Sequence, residues 1–147
     1  QNLVTARNTI TQKMMGYAGT VTALLDVTEL ADGDRAGLAC FGHVFNCIGV
    51  QRRDGANWIY VEYNWQSEDV VKVKAKQVWL RASLDAENNL HQLYYSTDGK
   101  TFVPCKEPYG LRFGFWKGAR VGLYSYTTAQ SSNGKAQFDY FDYIITK

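Results

Sequence analysis

The sequence predicts an all-β domain in which two antiparallel sheets pack as a jelly-roll sandwich. Three observations predict it. The stretch Tyr94-Tyr95-Ser96-Thr97-Asp98-Gly99-Lys100-Thr101-Phe102 writes a strand, a tight turn and a returning strand, with Asp98-Gly99 supplying the positive φ of the turn. The same punctuation recurs at Asp32-Gly33, Asp54-Gly55, Asn88-Asn89 and Asn133-Gly134, each between runs rich in β-branched or aromatic residues. Third, no stretch of about ten residues keeps the 3.6-residue apolar spacing of an amphipathic helix. Roughly eight or more short strands separated by such turns fit two packed sheets, with barrel closure as the lesser alternative.

Taken in order, Thr20 to Val27 alternates, with Val21, Ala23, Leu25 and Val27 on one face and Thr20, Thr22 and Asp26 on the other. Ala36 to Phe41 and Phe45 to Gln51 follow as a pair. From Trp58 to Trp65, the set Trp58, Tyr60, Glu62 and Asn64 opposes Ile59, Val61, Tyr63 and Trp65, and the second set reads as core. Val78 to Asp85 sends Val78, Leu80, Ala82 and Leu84 inward against Trp79, Arg81, Ser83 and Asp85 outward. In Arg120 to Thr127, Val121 and Leu123 point in, and Arg120, Tyr124 and Tyr126 point out. Ala136 to Ile145 closes the chain as an aromatic strand. Both prolines, Pro104 and Pro108, fall after the Asp98-Gly99 hairpin.

The 147 residues suit a single domain spanning 1–147, long enough to bury roughly 68–70% of the unfolded chain's surface. Its 16 basic and 14 acidic side chains leave a net +2, and no basic cluster exceeds Arg52-Arg53, so the footprint of a nucleic-acid binder is missing. No apolar run approaches the roughly 18 residues of a membrane span, and the N-terminus lacks a leader pattern, so the chain reads as soluble and either mature or excised. Cys40, Cys47 and Cys105 match no zinc pattern given only His43 and His91. Cys40 and Cys47 flank a short loop and face each other across a hairpin in one reading. Three buried free thiols are the other.

The wet faces carry many rings: Trp58, Tyr60, Trp79, Tyr124 and Tyr126, with Trp116 nearby in sequence. A pyranose has an apolar C–H face fringed by hydroxyls, so flat rings beside a forked donor such as Arg81 suit both parts. The competing reading packs these rings against loops or neighbouring strands. Glycoside hydrolysis wants two carboxyl groups roughly 5–5.5 or 6.5–9.5 Å apart. The alternating Glu-x-Asp-x-x-Glu run of a sandwich glucanase is absent, Glu62 stands alone, and Asp139 and Asp142 fall on opposite faces of an extended strand. No catalytic residue is assigned. Asp26 and Asp139 are candidates for a calcium that ties the first and last strands, against the simpler reading of surface salt bridges or turn caps.

Several segments together resemble the C-terminal concanavalin A-like module of glycoside hydrolase family 43 enzymes, the β-xylosidases and arabinofuranosidases. They are Asp32-Gly33-Asp34-Arg35-Ala36-Gly37-Leu38, Val78-Trp79-Leu80-Arg81, Tyr95-Ser96-Thr97-Asp98-Gly99-Lys100-Thr101-Phe102, Trp116-Lys117-Gly118-Ala119-Arg120-Val121-Gly122-Leu123 and Phe138-Asp139-Tyr140-Phe141-Asp142-Tyr143. The resemblance spans almost the whole chain in the family's order. The resemblance implies a chain that starts within such a module, at a strand such as Asn8-Thr9-Ile10-Thr11-Gln12, with an opening strand or two of the family expected to be missing. The family's catalytic propeller and its acidic residues have no counterpart here. The resemblance thus implies a non-catalytic module, extracellular or on the cell surface, that accompanies a glycoside hydrolase catalytic domain. It implies one of two roles: binding xylan, arabinoxylan or a related β-glycan, or shaping the rim of the active site without binding sugar independently.

Overall fold

The computed structural model describes residues 3, 6, 8–42, 45–110 and 120–147, with side chains outside 106–110. Eleven strands run through them: β1 (Asn8–Lys13), β2 (Ala18–Asp26), β3 (Asp34–Phe41), β4 (Phe45–Arg53), β5 (Ala56–Tyr63), β6 (Gln66–Val73), β7 (Gln77–Asp85), β8 (Leu90–Ser96), β9 (Val103–Gly110), β10 (Arg120–Thr127) and β11 (Gln137–Ile145). They form a six-stranded sheet, β1-β10-β3-β4-β5-β6, and a five-stranded sheet, β11-β2-β7-β8-β9. Every pairing is antiparallel. The fold is the two-sheet sandwich that the alternation predicts.

The core lies between the sheets. Val21 and Leu25 of β2, Val78, Leu80, Ala82 and Leu84 of β7, and Leu93 of β8 meet Ala36 and Leu38 of β3, Ile48 and Val50 of β4, Ile59 and Val61 of β5, and Val121 of β10. Each position is one member of a period-two set, so the register that buries one residue buries its whole set. Full burial of a Val, Leu or Ile side chain contributes about 1.5–3 kcal/mol, which makes a one-residue slip of any inner strand prohibitive.

The turns divide into those with a sequence signature and those without. Asp54 and Gly55 have φ of 51° and 73°, the two left-handed positions of a two-residue hairpin loop between β4 and β5. Asn64 and Trp65 do the same between β5 and β6, with φ of 47° and 71°. A tryptophan at positive φ carries no turn signal, so β6 is invisible in the sequence pattern. Tyr63 and Trp65 consequently leave the core they were assigned to: they are 37% and 56% exposed, and Trp65 meets Phe45 edge-on at 4.9 Å.

The Asp98-Gly99 hairpin is looser than a tight turn, because residues 97–102 connect β8 to β9. Asp98 Oδ1 accepts the backbone N–H groups of Thr101 and Lys100, both at 2.8 Å, and the Ser96 hydroxyl at 2.9 Å. Those bonds pull its carboxyl down to about 2. Asn133-Gly134 has no positive φ and lies in an irregular link leading into β11.

The cysteines are free and buried. Cys47 pairs with Ala39 and Cys40 with Asn46, so the two thiols stand one residue out of step and point to opposite faces of the sheet. Cys40 joins the inter-sheet core and Cys47 the outer face. Burial pushes all three thiols up to about 12, which keeps them protonated and unreactive.

One buried polar contact links the sheets. Asn46 Nδ2 of β4 donates to His91 Nε2 of β8 at 2.9 Å, and His91 is 3% exposed. Burial pushes the His91 pKa down from its ordinary 6.5 to about 4, since a charged imidazole here would be desolvated and would face the Asn46 amide donor. The unfolded chain therefore takes up a proton between those values that the folded chain refuses. Stability falls as pH drops from about 6.5 toward 4, and is intact above that window. We expect the wild type to lose about 2 kcal/mol more than His91→Gln between pH 7 and pH 5 in urea melts. Equal losses in the two proteins would place the acid sensitivity elsewhere.

Candidate functional site

Because the inner members of each strand are committed to the core, chemistry is left to the two outer faces. On the five-stranded sheet, register aligns Tyr140, Leu24, Trp79 and Ser96 in one row, and Asp142, Thr22, Arg81, Tyr94 and Pro104 in the next. Trp79, Arg81 and Tyr94 are half-buried and Tyr140 is exposed, so ring area and a guanidinium share one accessible surface. The Trp79 indole lies against Gly99, where an added Cβ would come within 2.8 Å of its Cε2. Arg81 Nε donates to Thr22 Oγ1 at 2.9 Å, and its Cζ sits 3.5 Å above the Phe102 ring centroid. One edge and one face of the guanidinium are thereby fixed. No carboxylate pairs with it among the described residues.

The outer face of the six-stranded sheet is different. Tyr124, Gly37, Gly49 and Tyr60 stand side by side across four strands. With no Cβ on the two central residues, the tyrosines reach toward each other and their hydroxyls bond at 2.5 Å. A Cβ on Gly37 would lie 2.8 Å from Tyr124 Oη. The next row is Tyr126, Arg35, Gln51, Trp58 and Lys72. Arg35 Cζ stacks 4.7 Å from the Tyr60 centroid, and Arg53 and Lys72 sit 5.2 and 6.0 Å from that of Trp58.

A continuous polar network crosses this face. Arg35 Nη1 donates to Glu62 Oε2 at 3.2 Å and to the Tyr126 hydroxyl at 3.4 Å, and Arg35 Nε donates to Gln51 Oε1 at 3.1 Å. Gln51 Nε2 donates onward to Asp69 Oδ1, and Asp69 Oδ2 pairs with Arg53 Nη1 at 2.9 Å. Burial raises the pKa of Tyr60, Tyr124 and Tyr126, so all three phenols are neutral hydrogen-bonding groups at physiological pH.

The sequence-assigned residues are therefore split between two opposite surfaces. Trp79 and Arg81 share the five-stranded face, and Trp58, Tyr60, Tyr124 and Tyr126 the six-stranded one. Three of the expected platform rings are not available as one: Tyr60 is 0% exposed, Tyr124 1% and Tyr126 7%. Their faces were assigned correctly, but Leu3, Phe45 and each other cover them in a second apolar cluster outside the main core. Trp116 lies outside the described residues. Asp26 Oδ1 accepts from Thr28 N and Oγ1, which lowers its pKa, and Asp139 accepts from Gln77 and Gln137 beside a bulge in β11. Both carboxylates act as local caps, and no group of three or more His, Cys, Asp or Glu side chains among the described residues is placed to hold a metal. Glu62 is engaged by Arg35. Sequence reasoning missed Arg35, Gln51, Arg53 and Asp69: the first two signal themselves only by alternating with core residues on β3 and β4, and Arg53 and Asp69, flanked by exposed or half-exposed residues, carry no such signal.

A sandwich of a six-stranded and a five-stranded antiparallel sheet is the architecture of concanavalin A-like domains. Residues 1–144 match the beta xylosidase C-terminal concanavalin A-like domain, and the chain belongs to that family. It is 34% identical over 122 residues to a putative beta-xylosidase of Xylanibacter ruminicola, which covers 82% of this chain and 22% of that protein. A beta-xylosidase of Formosa agariphila is 29% identical over 141 residues, covering 94% and 23%. The chain thus spans less than a quarter of the length of these relatives. A bifunctional GH43-CE protein of Bacteroides eggerthii superposes with a TM-score of 0.88 at 27% identity, over 97% of this chain and 19% of that one. An engineered GH43 glycoside hydrolase with endo-xylanase and exo-arabinofuranosidase activity shares the fold, with a TM-score of 0.89 at 23% identity. The domain is the C-terminal type found in family 43 glycoside hydrolases, distinct from their catalytic domain.

The glycine pair under the tyrosines is open to direct test. A Cβ on Gly49 would overlap Tyr124 Oη and lie 2.6 Å from the Ala36 carbonyl oxygen and 3.0 Å from Tyr60 Cε1. Gly49→Ala should cost roughly 1–3 kcal/mol or more in chemical denaturation, the range of core overpacking. A Gly55→Ala control meets no neighbouring atom and carries only the strain of its positive φ.

Proposed function

We propose that this chain is a non-catalytic accessory domain that binds plant cell-wall polysaccharide, xylan or arabinoxylan, on behalf of a glycoside hydrolase catalytic domain. The observation that carries the reading is the outer face of the five-stranded sheet. There Trp79, Tyr94 and Tyr140 present ring area beside an Arg81 fork already held by Thr22 and Phe102. A sugar ring laid on Trp79 buries its C–H face at about 25 cal/mol per Å², and its hydroxyls meet the unpaired side of the guanidinium. The surface is open, so binding is weak and reversible, and it acts by raising the local concentration of polymer near a tethered enzyme. The names of the relatives support a xylan-type ligand and a catalytic partner.

A second reading has its own observation. Met15, Tyr17, Ile144 and Ile145 are all exposed at one end of the sandwich, where Tyr17 N donates to Lys147 O at 2.7 Å and Tyr143 Oη donates to Met15 O at 2.8 Å. An apolar group bordered by the backbone oxygens of Met15 and Lys147 suits contact with a neighbouring domain. On that reading the domain is a structural support that shapes a substrate cleft.

Affinity electrophoresis or calorimetry against soluble arabinoxylan, glucuronoxylan and mixed-linkage β-glucan separates the two. We expect millimolar-range binding to a xylan, weakened about tenfold or more by Trp79→Ala, a loss of about 1.4 kcal/mol, with the β-sheet circular dichroism unchanged. A flat response across the panel would favour the structural role.

A further inference from the structure

We propose that the opposite side of the sandwich holds a second, separate sugar subsite: a recess on the six-stranded face, walled by Arg35, Gln51, Arg53, Ser67 and Asp69, that takes one sugar unit through a vicinal diol. The recess encloses ≈ 330 Å³. That is the lower end of small-molecule pockets and suits a monosaccharide better than a polymer chain laid lengthwise.

The chemistry of its wall selects the ligand. Arg35 spends Nε on Gln51 and Nη1 on Glu62 and Tyr126, which leaves the two N–H groups of Nη2 with no acceptor among the described residues. Arg53 spends Nη1 on Asp69 and places Nε 3.9 Å from Asp54, which leaves its own Nη2 likewise. Fixed donors therefore border the recess beside the Asp69 carboxylate, a strong acceptor, and the Ser67 hydroxyl, which serves as either. An anion is opposed by Asp69 and by Glu62 behind it, and a cation by Arg35, Arg52 and Arg53. A neutral ligand that both accepts and donates at adjacent atoms satisfies every group, and a pair of neighbouring sugar hydroxyls does so: one accepts from a guanidinium while the other donates to the carboxylate.

The array is also preorganised. Gln51 and Glu62 are buried polar residues, and the five wall groups are held on three strands: Arg35 on β3, Gln51 and Arg53 on β4, Ser67 and Asp69 on β6. Groups held by backbone register lose little freedom when a ligand arrives. The bulge between Ile59 and Tyr60 in the β5–β6 pairing brings Asp69 opposite Tyr60 and so into line with this wall. The subsite does not depend on the Trp79 surface, from which the whole thickness of the sandwich separates it.

Two-dimensional NMR on the 147-residue chain tests it, with methyl β-D-xyloside as probe and tetrahydropyran, the ring without hydroxyls, as control. We expect the Nε–Hε signals of Arg35 and Arg53 and the amide of Ser67 to shift with the xyloside at about 10–100 mM and not with tetrahydropyran. Asp69→Asn should weaken that response by about tenfold or more. Should it unfold the protein, Ser67→Ala, at an exposed position with no hydrogen bond to another side chain among the described residues, should weaken it several-fold at unchanged thermal stability. Recess signals that stay still while the Trp79 indole N–H responds would overturn the subsite and leave the platform standing. Recess signals that move while Trp79 stays silent would establish the subsite and remove the platform. Silence at both up to about 100 mM would sink both, as would an equal response to tetrahydropyran for the recess.

Discussion

The constraint on which everything else rests is the mating of two apolar faces written at a period of two. Val78, Leu80, Ala82 and Leu84 can reach the core only if Trp79, Arg81, Ser83 and Asp85 turn away from it, and the same exclusion operates on every central strand. The polar and aromatic members of these strands are therefore displaced to the outer faces as a geometric consequence of the core. The core also settles which outer residues become neighbours. Antiparallel register places Thr22, Arg81 and Tyr94 in one row although they lie far apart in the chain.

The two outer faces solve the problem of exposure differently. On the five-stranded sheet, Trp79, Tyr94 and Tyr140 remain in partial contact with water, and the polar groups among them, Thr22 and Arg81, are satisfied mainly by each other. On the six-stranded sheet, Gly37 and Gly49 lower the floor so that Tyr60 and Tyr124 fold down over it, and Leu3, Phe45 and Tyr126 close the cluster. That creates a second, smaller core outside the first. A charged pair next to such a cluster is partly desolvated. Arg35 and Glu62, with side chains 20% and 9% exposed, persist there because they bond to each other, Gln51 and Tyr126 engage the rest of the Arg35 fork, and Asp69 in turn holds Gln51. Removing one member leaves a buried charge without its partner, so the network behaves as a unit.

Most of the sandwich was legible because its signals are local. Alternation identified β2, β5, β7 and β10, and Asp54-Gly55 identified a hairpin whose two positive φ angles demand residues of that kind. The failures share a cause. β6 was missed because Trp65 takes a left-handed turn position that a tryptophan does not advertise, and because Gln66–Val73 at the sheet edge has too little burial to enforce alternation. Alternation assigned Tyr60, Tyr124 and Tyr126 to the outer side but says nothing of what lies on top of them. Whether an outward ring is wet depends on its cross-strand neighbours, and the glycines beneath and Leu3 above are brought there by pairing between distant segments. The ring set that alternation sends outward is thus divided by the thickness of the core between two unlike surfaces.

That division bears on what the domain does beside an enzyme. An open ring surface with one pinned guanidinium recognises what all pyranosides share, an apolar face and a hydroxyl edge, and so discriminates little between them. A walled recess whose donors and acceptors sit at fixed positions on three strands discriminates strongly, because a hydroxyl in the wrong orientation leaves a desolvated group unpaired. On the two proposed readings taken together, the open face would hold a polymer by its backbone and the recess would read a terminal or pendant unit separately. Since one surface is set by the register of β3, β4 and β6 and the other by that of β2, β7 and β8, and the two sheets share one core, their spacing is as rigid as the core between them. Two weak contacts at a fixed separation reinforce each other only for a ligand, or a pair of ligand strands, that spans the sandwich. For any shorter ligand they act as independent sites.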